Sequence, residues 1–290
     1  MTSLLQTLIP PLFCIPFFLM LANNAISQET HFTFTSFASA SASAPTDLTY
    51  QGDTHVPTGA SSLRLTKTDS HGLPQPYSTG RVLYSKPFKL WERLLVISFN
   101  TTIKFTITPA KDPAGDGLAF FMAPAGTTIP DGAYGGDFGL FDVSGGGVGR
   151  PRPTPPGSAS AGKSPPIFAV EFDIFSNQWD PSHKLRHIGI DINSVKSDAF
   201  VEFGDSCVGK KAELNIQYDG VGLIYVHLKC EKETRLLEYE YDLGTLLPPF
   251  VQVGIASATG DCVALHDVDY WSFRSAERAV IDASKTRKIG

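Results

Sequence analysis

The stretch VEFDIFSNQWDPSHKLRHIGID, from Val170 to Asp191, decides how the chain is read. It opens like a buried β-strand, with large apolar residues on both sides of the acids. Yet it carries Glu171, Asp173, Asp180 and His187, with Asn177 between them. Glu171 and Asp173 are two apart, so on a strand they point to the same face. Two like charges there repel, and each is costly to take out of water. A bound cation resolves both costs. Pro181 favours a turn after Asp180, so Asn177, Asp180 and His187 can fold back over the same point. Oxygen donors suit calcium, which takes about six to eight of them. Carboxylates joined by one imidazole suit a transition ion such as manganese. The segment has enough donors for both ions, with Asp173 and Asp180 bridging them.

Two other readings compete. A salt-bridged strand without metal leaves the crowding of acids, amide and imidazole unexplained. A jelly-roll glycosidase would show the pattern E-x-D-x-x-E, and Glu171 and Asp173 supply its first part. The third acid would stand at position 176, where the chain has Ser176. Glycoside hydrolysis needs two carboxyl groups in separate roles, so the sequence argues against an enzyme.

The rest of the chain gives that segment a setting. Segments such as LLVISFNTTIKFTI, GLAFFMA, IFAVEFDIF, LIYVHLKC and FVQVGIASA are rich in β-branched and aromatic residues. Several alternate with period two, and none gives an amphipathic helix. AELNIQYDGVGLIYVHL reads as a hairpin turning at Asp219–Gly222. Many short strands punctuated by Gly and Pro predict an all-β sandwich or jelly roll. Charged residues make up only 18% of the chain, against about 25% in ordinary domains, which suits packed sheets. A net charge of −5 without a basic cluster excludes a nucleic-acid binder.

Residues 1–27 contain no Lys, Arg, Asp or Glu and end in Ala25-Ile26-Ser27. They read as a signal peptide, because Pro10, Pro11 and Pro16 interrupt what would otherwise be a membrane anchor. The domain is expected over 28–275. Within it, the Gly/Pro/Ser-rich segment 144–166 is too poor in apolar residues to order itself and is expected to be a flexible loop. Residues 276–290 are expected to be a mobile tail. Of the four cysteines, Cys14 leaves with the signal peptide. Cys207 and Cys230 lie near opposite arms of the predicted hairpin and can pair, leaving Cys262 free. Asn100-Thr101-Thr102 is a glycosylation sequon, consistent with a secretory route.

IFAVEFDIFSNQWDP followed by RHIGIDINSVKS resembles the metal-binding segment of the legume lectins, the concanavalin-like plant lectins. SLRLTKT, GRVLYSKPFKLW, DGLAFFMAP, GGDFGLF, VQVGIASATG and HDVDYWSF resemble further blocks of that family, in the family's order. Together they span about Thr30 to Ser275. The resemblance implies a jelly-roll sandwich of flat back sheet, curved front sheet and short top sheet. It also implies reversible, noncatalytic glycan binding near one calcium and one manganese. Manganese ligands would be Glu171, Asp173, Asp180 and His187, with Ser197 reaching it through water. Calcium ligands would be Asp173, the Phe175 carbonyl, Asn177 and Asp180. The sugar would meet the Asp116 carboxylate, the Gly136 N–H, the Asn177 amide and the Phe175 ring. A cis peptide before Asp116 is implied as well.

The chain departs from the family at Gly115, where alanine is usual, at Ile174, where threonine is usual, and at Asp137, where an apolar or aromatic residue is common. The spacing of Asn177 and Asp180 resembles galactose-type members. The short loop Asp261–Leu265 resembles mannose/glucose-type members, which is the weak preference, and would let the N–H groups of Asp261 and Cys262 reach the sugar. The resemblance further implies secreted or vacuolar delivery, no membrane span after signal cleavage, and a homodimer or homotetramer formed through the back sheet. A storage or defence relative that has lost sugar binding is the alternative, opposed by the retained Asp116 and Asn177.

Overall fold

The computed structural model describes residues 29–38, 47–92, 95–141, 165–181 and 186–279. The signal peptide, nearly all of the 144–166 loop, His183 and the end of the tail lie outside them. The longest strands, β7 (Leu95–Pro109) and β16 (Ala264–Ala279), pair along their whole length. β7 shows why a strand forms. Ile97, Phe99, Thr101, Ile103, Phe105 and Ile107 point inward and are buried, while the alternate residues Ser98, Asn100, Thr102, Lys104 and Thr106 face out. The back sheet adds β1 (His31–Phe34), β12 (Lys211–Tyr218), β13 (Leu223–Lys229) and β14 (Thr234–Glu240), in the order β1-β16-β7-β12-β13-β14.

The front sheet holds β2 (Leu48–Gly52), β4 (Thr79–Tyr84), β8 (Gly117–Pro124), β9 (Phe168–Asp173), β10 (Arg186–Ile192), β11 (Ala199–Phe203) and β15 (Phe250–Ala258), in the order β11-β10-β9-β8-β15-β4-β2. All their pairings are antiparallel. The expected jelly-roll sandwich is present. Three short strands, β3 (Leu63–Arg64), β5 (Phe88–Lys89) and β6 (Trp91–Glu92), pair with β16, β15 and β7, where backbone groups near the ends of long strands remain to be satisfied.

Phe120, Phe168, Phe172 and Ile188 from the front sheet meet Phe105, Leu214, Val226 and Trp271 from the back. The outer face of the front sheet is covered too, by Phe138, Leu140 and Phe141 packed on Ala119, Phe121 and Ala169. That double burial explains why β8 and β9 read as near-continuous apolar runs. The hairpin turns where expected, with Asp219 Oδ1 accepting the N–H groups of Val221, Gly222 and Leu223. Cys207 and Cys230 are disulfide-bonded across its base, and Cys262 is free. At the C-terminus, β16 runs four residues past Ser275, the expected end of the domain, because Glu277, Arg278 and Ala279 still pair with Ile97, Val96 and Leu95.

Candidate metal and ligand site

Register places one row of residues across the end of the front sheet: Ala258, Gly117, Asp173 and His187 are successive neighbours on β15, β8, β9 and β10. Segments leaving those strands therefore meet. Asp116 precedes Gly117, Phe175 and Asn177 follow Asp173, and Thr259–Cys262 follow Ala258. The sequence-predicted residues come together for this reason.

Three of the predicted ligands form a compact, buried cluster. Donor atoms of Glu171, Asp173 and His187 all lie within 4.8 Å of one another. His187 Nε2 is 2.9 Å from Glu171 Oε1, and the Ser197 hydroxyl donates to that same oxygen at 2.5 Å. Gly189, opposite Glu171 on β10, leaves the room. A Cβ there would lie 2.1 Å from Ser197 Oγ and 2.4 Å from Glu171 Oε1. Asp180 is buried beside them, its Oδ2 accepting the Asn177 N–H. Burial, then the charges of Glu171 and Asp180, push the Asp173 carboxyl well above its ordinary range. Burial works against a charged His187, but the Glu171 hydrogen bond and nearby acids outweigh it and raise the imidazole pKa. Acids this close and this dry fit a cation: each loses its repulsion and regains the ligands it gave up on leaving water. A mixed carboxylate and imidazole set fits a transition ion, and the oxygen-only side fits calcium.

The pocket lies beside this cluster. The Gly115–Asp116 peptide is cis. A Cβ on Gly115 would be 3.2 Å from Phe175 Cβ, so the glycine lets that side chain pack on the loop. The Asp116 carboxyl is pushed up to about 7, chiefly by burial, with the charges of Asp137, Asp180 and Asp261 adding to it. Its Oδ2 is buried without a hydrogen-bond partner, and so is Asn177 Oδ1. Gly136 closes against them. A Cβ there would meet Asn177 Oδ1 at 2.7 Å and Trp179 Cζ2 at 3.0 Å, so only glycine lets this loop approach Asn177. The loop is held from behind by fully buried Arg81, whose guanidinium donates to the Gly139 carbonyl. Asp261 and Cys262 stand at the edge, half-buried or exposed, on the short loop after β15.

Some residues were missed or differ. Asp191 is fully buried, and neither carboxylate oxygen has a hydrogen-bond partner. The Ser197 hydroxyl that approaches it donates to Glu171 instead. Burial and the Glu171 charge hold its carboxyl well above the usual range. Its signal was available: four residues after His187 on an alternating strand, it faces the same way. Asp137, at a position where the family commonly has an apolar or aromatic residue, is buried. Tyr77 and Tyr134, absent from the sequence reading, stand beside the pocket with ring centroids 4.9 Å apart.

A family model described as the legume lectin domain matches residues 29–288. The chain belongs to the legume lectin family. Agglutinin-2 of Cladrastis kentukea is 39% identical, with 94% of this chain and 92% of that protein covered. The mannose/glucose-specific lectin of Centrolobium tomentosum is 36% identical, covering 78% and 88%. Among solved structures, basic winged bean lectin with Tn-antigen superposes with a TM-score of 0.72 at 32% identity, covering 87% of this chain and all of that one. The Bauhinia forficata lectin in complex with GalNAc gives 0.70 at 30% identity, covering 86% and 98%. Legume lectins are carbohydrate-binding agglutinins without catalytic activity, and they typically hold calcium and manganese. They are typically secreted or vacuolar. No helix among the described residues is long and apolar enough to cross a membrane.

Proposed function

We propose that this legume lectin binds neutral glycans reversibly in the pocket of Asp116, Gly136, Phe175 and Asn177, and that the pocket depends on bound metal. The carrying observation is the convergence of an unpartnered Asp116 oxygen with Asn177 and a glycine that only a bare Cα could bring so close. A sugar presents hydroxyls that donate and accept, and a C–H face. Asp116 accepts, the Gly136 N–H and Asn177 amide donate, and the Phe175 ring covers the apolar face. The N–H groups of Asp261 and Cys262 reach the same ligand from the short loop.

Glu171, Asp173, Asp180 and His187 would hold manganese. Asp173, Asp180, Asn177 and the Phe175 carbonyl would hold calcium. Neutralising these acids fixes Asn177 and Phe175 before the ligand arrives, which lowers the ordering cost of binding. The chain travels the secretory route, with residues 1–27 removed and Asn100 glycosylated; Asn100 is exposed on β7. The back sheet joins copies into a homodimer or homotetramer.

The short loop after Gly260 favours mannose/glucose, as in the Centrolobium relative's name. A galactose-type ligand is the second reading, favoured by the Asn177–Asp180 spacing and by the galactose-type ligands in the titles of structural neighbours. A glycan array on metal-loaded and chelated protein tests both. Binding that vanishes on chelation is expected, and the array names the sugar. No binding in either state would leave the lectin-like storage or defence reading.

A further inference from the structure

Resting on the reading of Asp116 as the primary sugar site, we propose that Tyr77 and Tyr134 form a second subsite. It takes the next, uncharged sugar residue of an oligosaccharide. The two rings meet edge to face. Tyr77 is 46% exposed, more than Tyr134, Phe175 or Trp179.

One strand end ties this pair to the pocket. The Asp116 N–H donates to the Ala258 carbonyl, the Gly135 N–H to Thr259, and the Tyr77 N–H to Gly260 at 3.2 Å. A Cβ on Gly260 would lie 3.3 Å from Asp116 Oδ2 and 3.5 Å from the Gly135 Cα. Tyr134 is the residue before Gly135, and Tyr77 is bonded to Gly260 itself. Each tyrosine is thus joined, by a bond or by the chain, to a glycine that borders the Asp116 carboxylate. The platform is also stiff. Thr259 Oγ1 donates to the Gln75 carbonyl at 2.7 Å and accepts the Ser78 N–H at 3.1 Å, bracketing Tyr77.

A simple packing role does not account for Tyr77. Its φ is +53°, a left-handed conformation that costs a non-glycine residue about 1–3 kcal/mol. Glycine or asparagine would hold that turn more cheaply. A bulky ring is kept there, half in solvent, beside a pocket. Its hydroxyl donates to Asp261, so the subsite offers an aromatic face next to a carboxylate acceptor. A pyranose ring matches both, with its C–H face on the tyrosines and a hydroxyl on Asp261. With Asp116, Asp137 and Asp261 nearby, a sialylated or sulfated residue meets like charge and is disfavoured.

The test is calorimetric titration of the full, metal-loaded protein with methyl α-mannoside and methyl α-galactoside, and with oligosaccharides ending in whichever sugar binds. Tyr77→Asn is the variant, because asparagine tolerates the left-handed backbone and keeps the turn. Wild type should bind a fitting neutral oligosaccharide at least about tenfold tighter than the monosaccharide. Tyr77→Asn should lose at least about fivefold of that gain, with the monosaccharide Kd unchanged within twofold. Tyr77→Phe should keep most of the gain, and sialylation should weaken binding. An unchanged oligosaccharide Kd in Tyr77→Asn, or equal weakening for both ligands, overturns the subsite while leaving the primary site standing. Wild type that binds neither monosaccharide nor oligosaccharide overturns both.

Discussion

Strands β9 and β10 have two faces, and both are buried. On the inner face Phe168, Val170, Phe172, Ile188 and Ile190 pack against the back sheet, with Phe172 stacked on Phe203 at 4.3 Å and edge-on to Phe105 at 5.0 Å. On the outer face the alternate residues are Glu171, Asp173, His187 and Asp191, no less buried. Depth therefore does not separate core from site. Satisfaction does. Hydrocarbon on the inner face is complete once it is packed. On the outer face Asp173 and Asp191 are left with repulsion and raised pKa values and, at Asp191, orphaned oxygens. A buried face that is unfinished in this way asks for something from outside the chain.

Changes on the inner face should strike stability, and changes on the outer face should strike binding. Phe172→Ala on the inner face should cost about 3–5 kcal/mol, the usual price of a large cavity. Urea unfolding measures it, and glycan affinity should survive at temperatures where the variant is folded. Asp173→Asn should do the reverse. Asparagine copies the shape of a protonated Asp173 and removes a repelling charge, so chelated protein should be as stable as wild type or more so. Metal content and glycan binding should both collapse, the latter by more than about a hundredfold, or roughly 2.7 kcal/mol. Asp116→Asn sharpens the division further. It should lose glycan binding equally but retain metal by elemental analysis. Retained binding in the Asp173 variant would show that the outer acids serve no cation.

The inner face was legible because local patterns decide it. Alternation in β7 and the apolar runs of β8 and β9 need no knowledge of their partners. The acids Glu171, Asp173 and His187 were legible from spacing and residue type. What escaped depends on register. The even spacing of Asp191 from His187 states which way it faces, but its place beside Glu171 comes from β10 lying antiparallel to β9 with His187 opposite Asp173. Tyr77 reaches Asp116 only through Gly260, far along the chain. The short strands β3, β5 and β6 depend likewise on pairing with β16, β15 and β7 that only the assembled sheets offer. Asp137 sits in a loop that is buried because Phe138, Leu140 and Phe141 pack on the front sheet and Arg81 holds the Gly139 carbonyl, contacts with partners far away in sequence.

Acidity offers a finer way to separate the two sides of the fold, because their buried titratable groups shift in opposite directions. His266 is fully buried on β16 between Ala264 and Val268, its Nδ1 3.1 Å from Thr66 Oγ1 and its Nε2 without a partner. Burial and the Arg64 charge lower its pKa from 6.5 to about 3. Below pH 6.5 the unfolded chain therefore binds a proton the fold refuses, and stability falls on acidification by about 1.4 kcal/mol per pH unit, or roughly 2 kcal/mol at pH 5. Asp116 does the opposite in chelated protein. Its carboxyl ionises from 3.8 when unfolded but from about 7 in the fold, so stability falls as pH rises between those values. Asp173 and Asp191 share that sign. Urea midpoints of chelated protein from pH 4 to 8 should resolve the two contributions. His266→Asn should raise the acid side of the curve relative to wild type, and Asp116→Asn the neutral side. If His266→Asn left the acid side unchanged, the imidazole would already be protonated in the fold, and the core side would hold a charge it gives no partner for. Adding calcium and manganese should then lift the neutral side of the wild-type curve most, since that is where the outer face is short of positive charge.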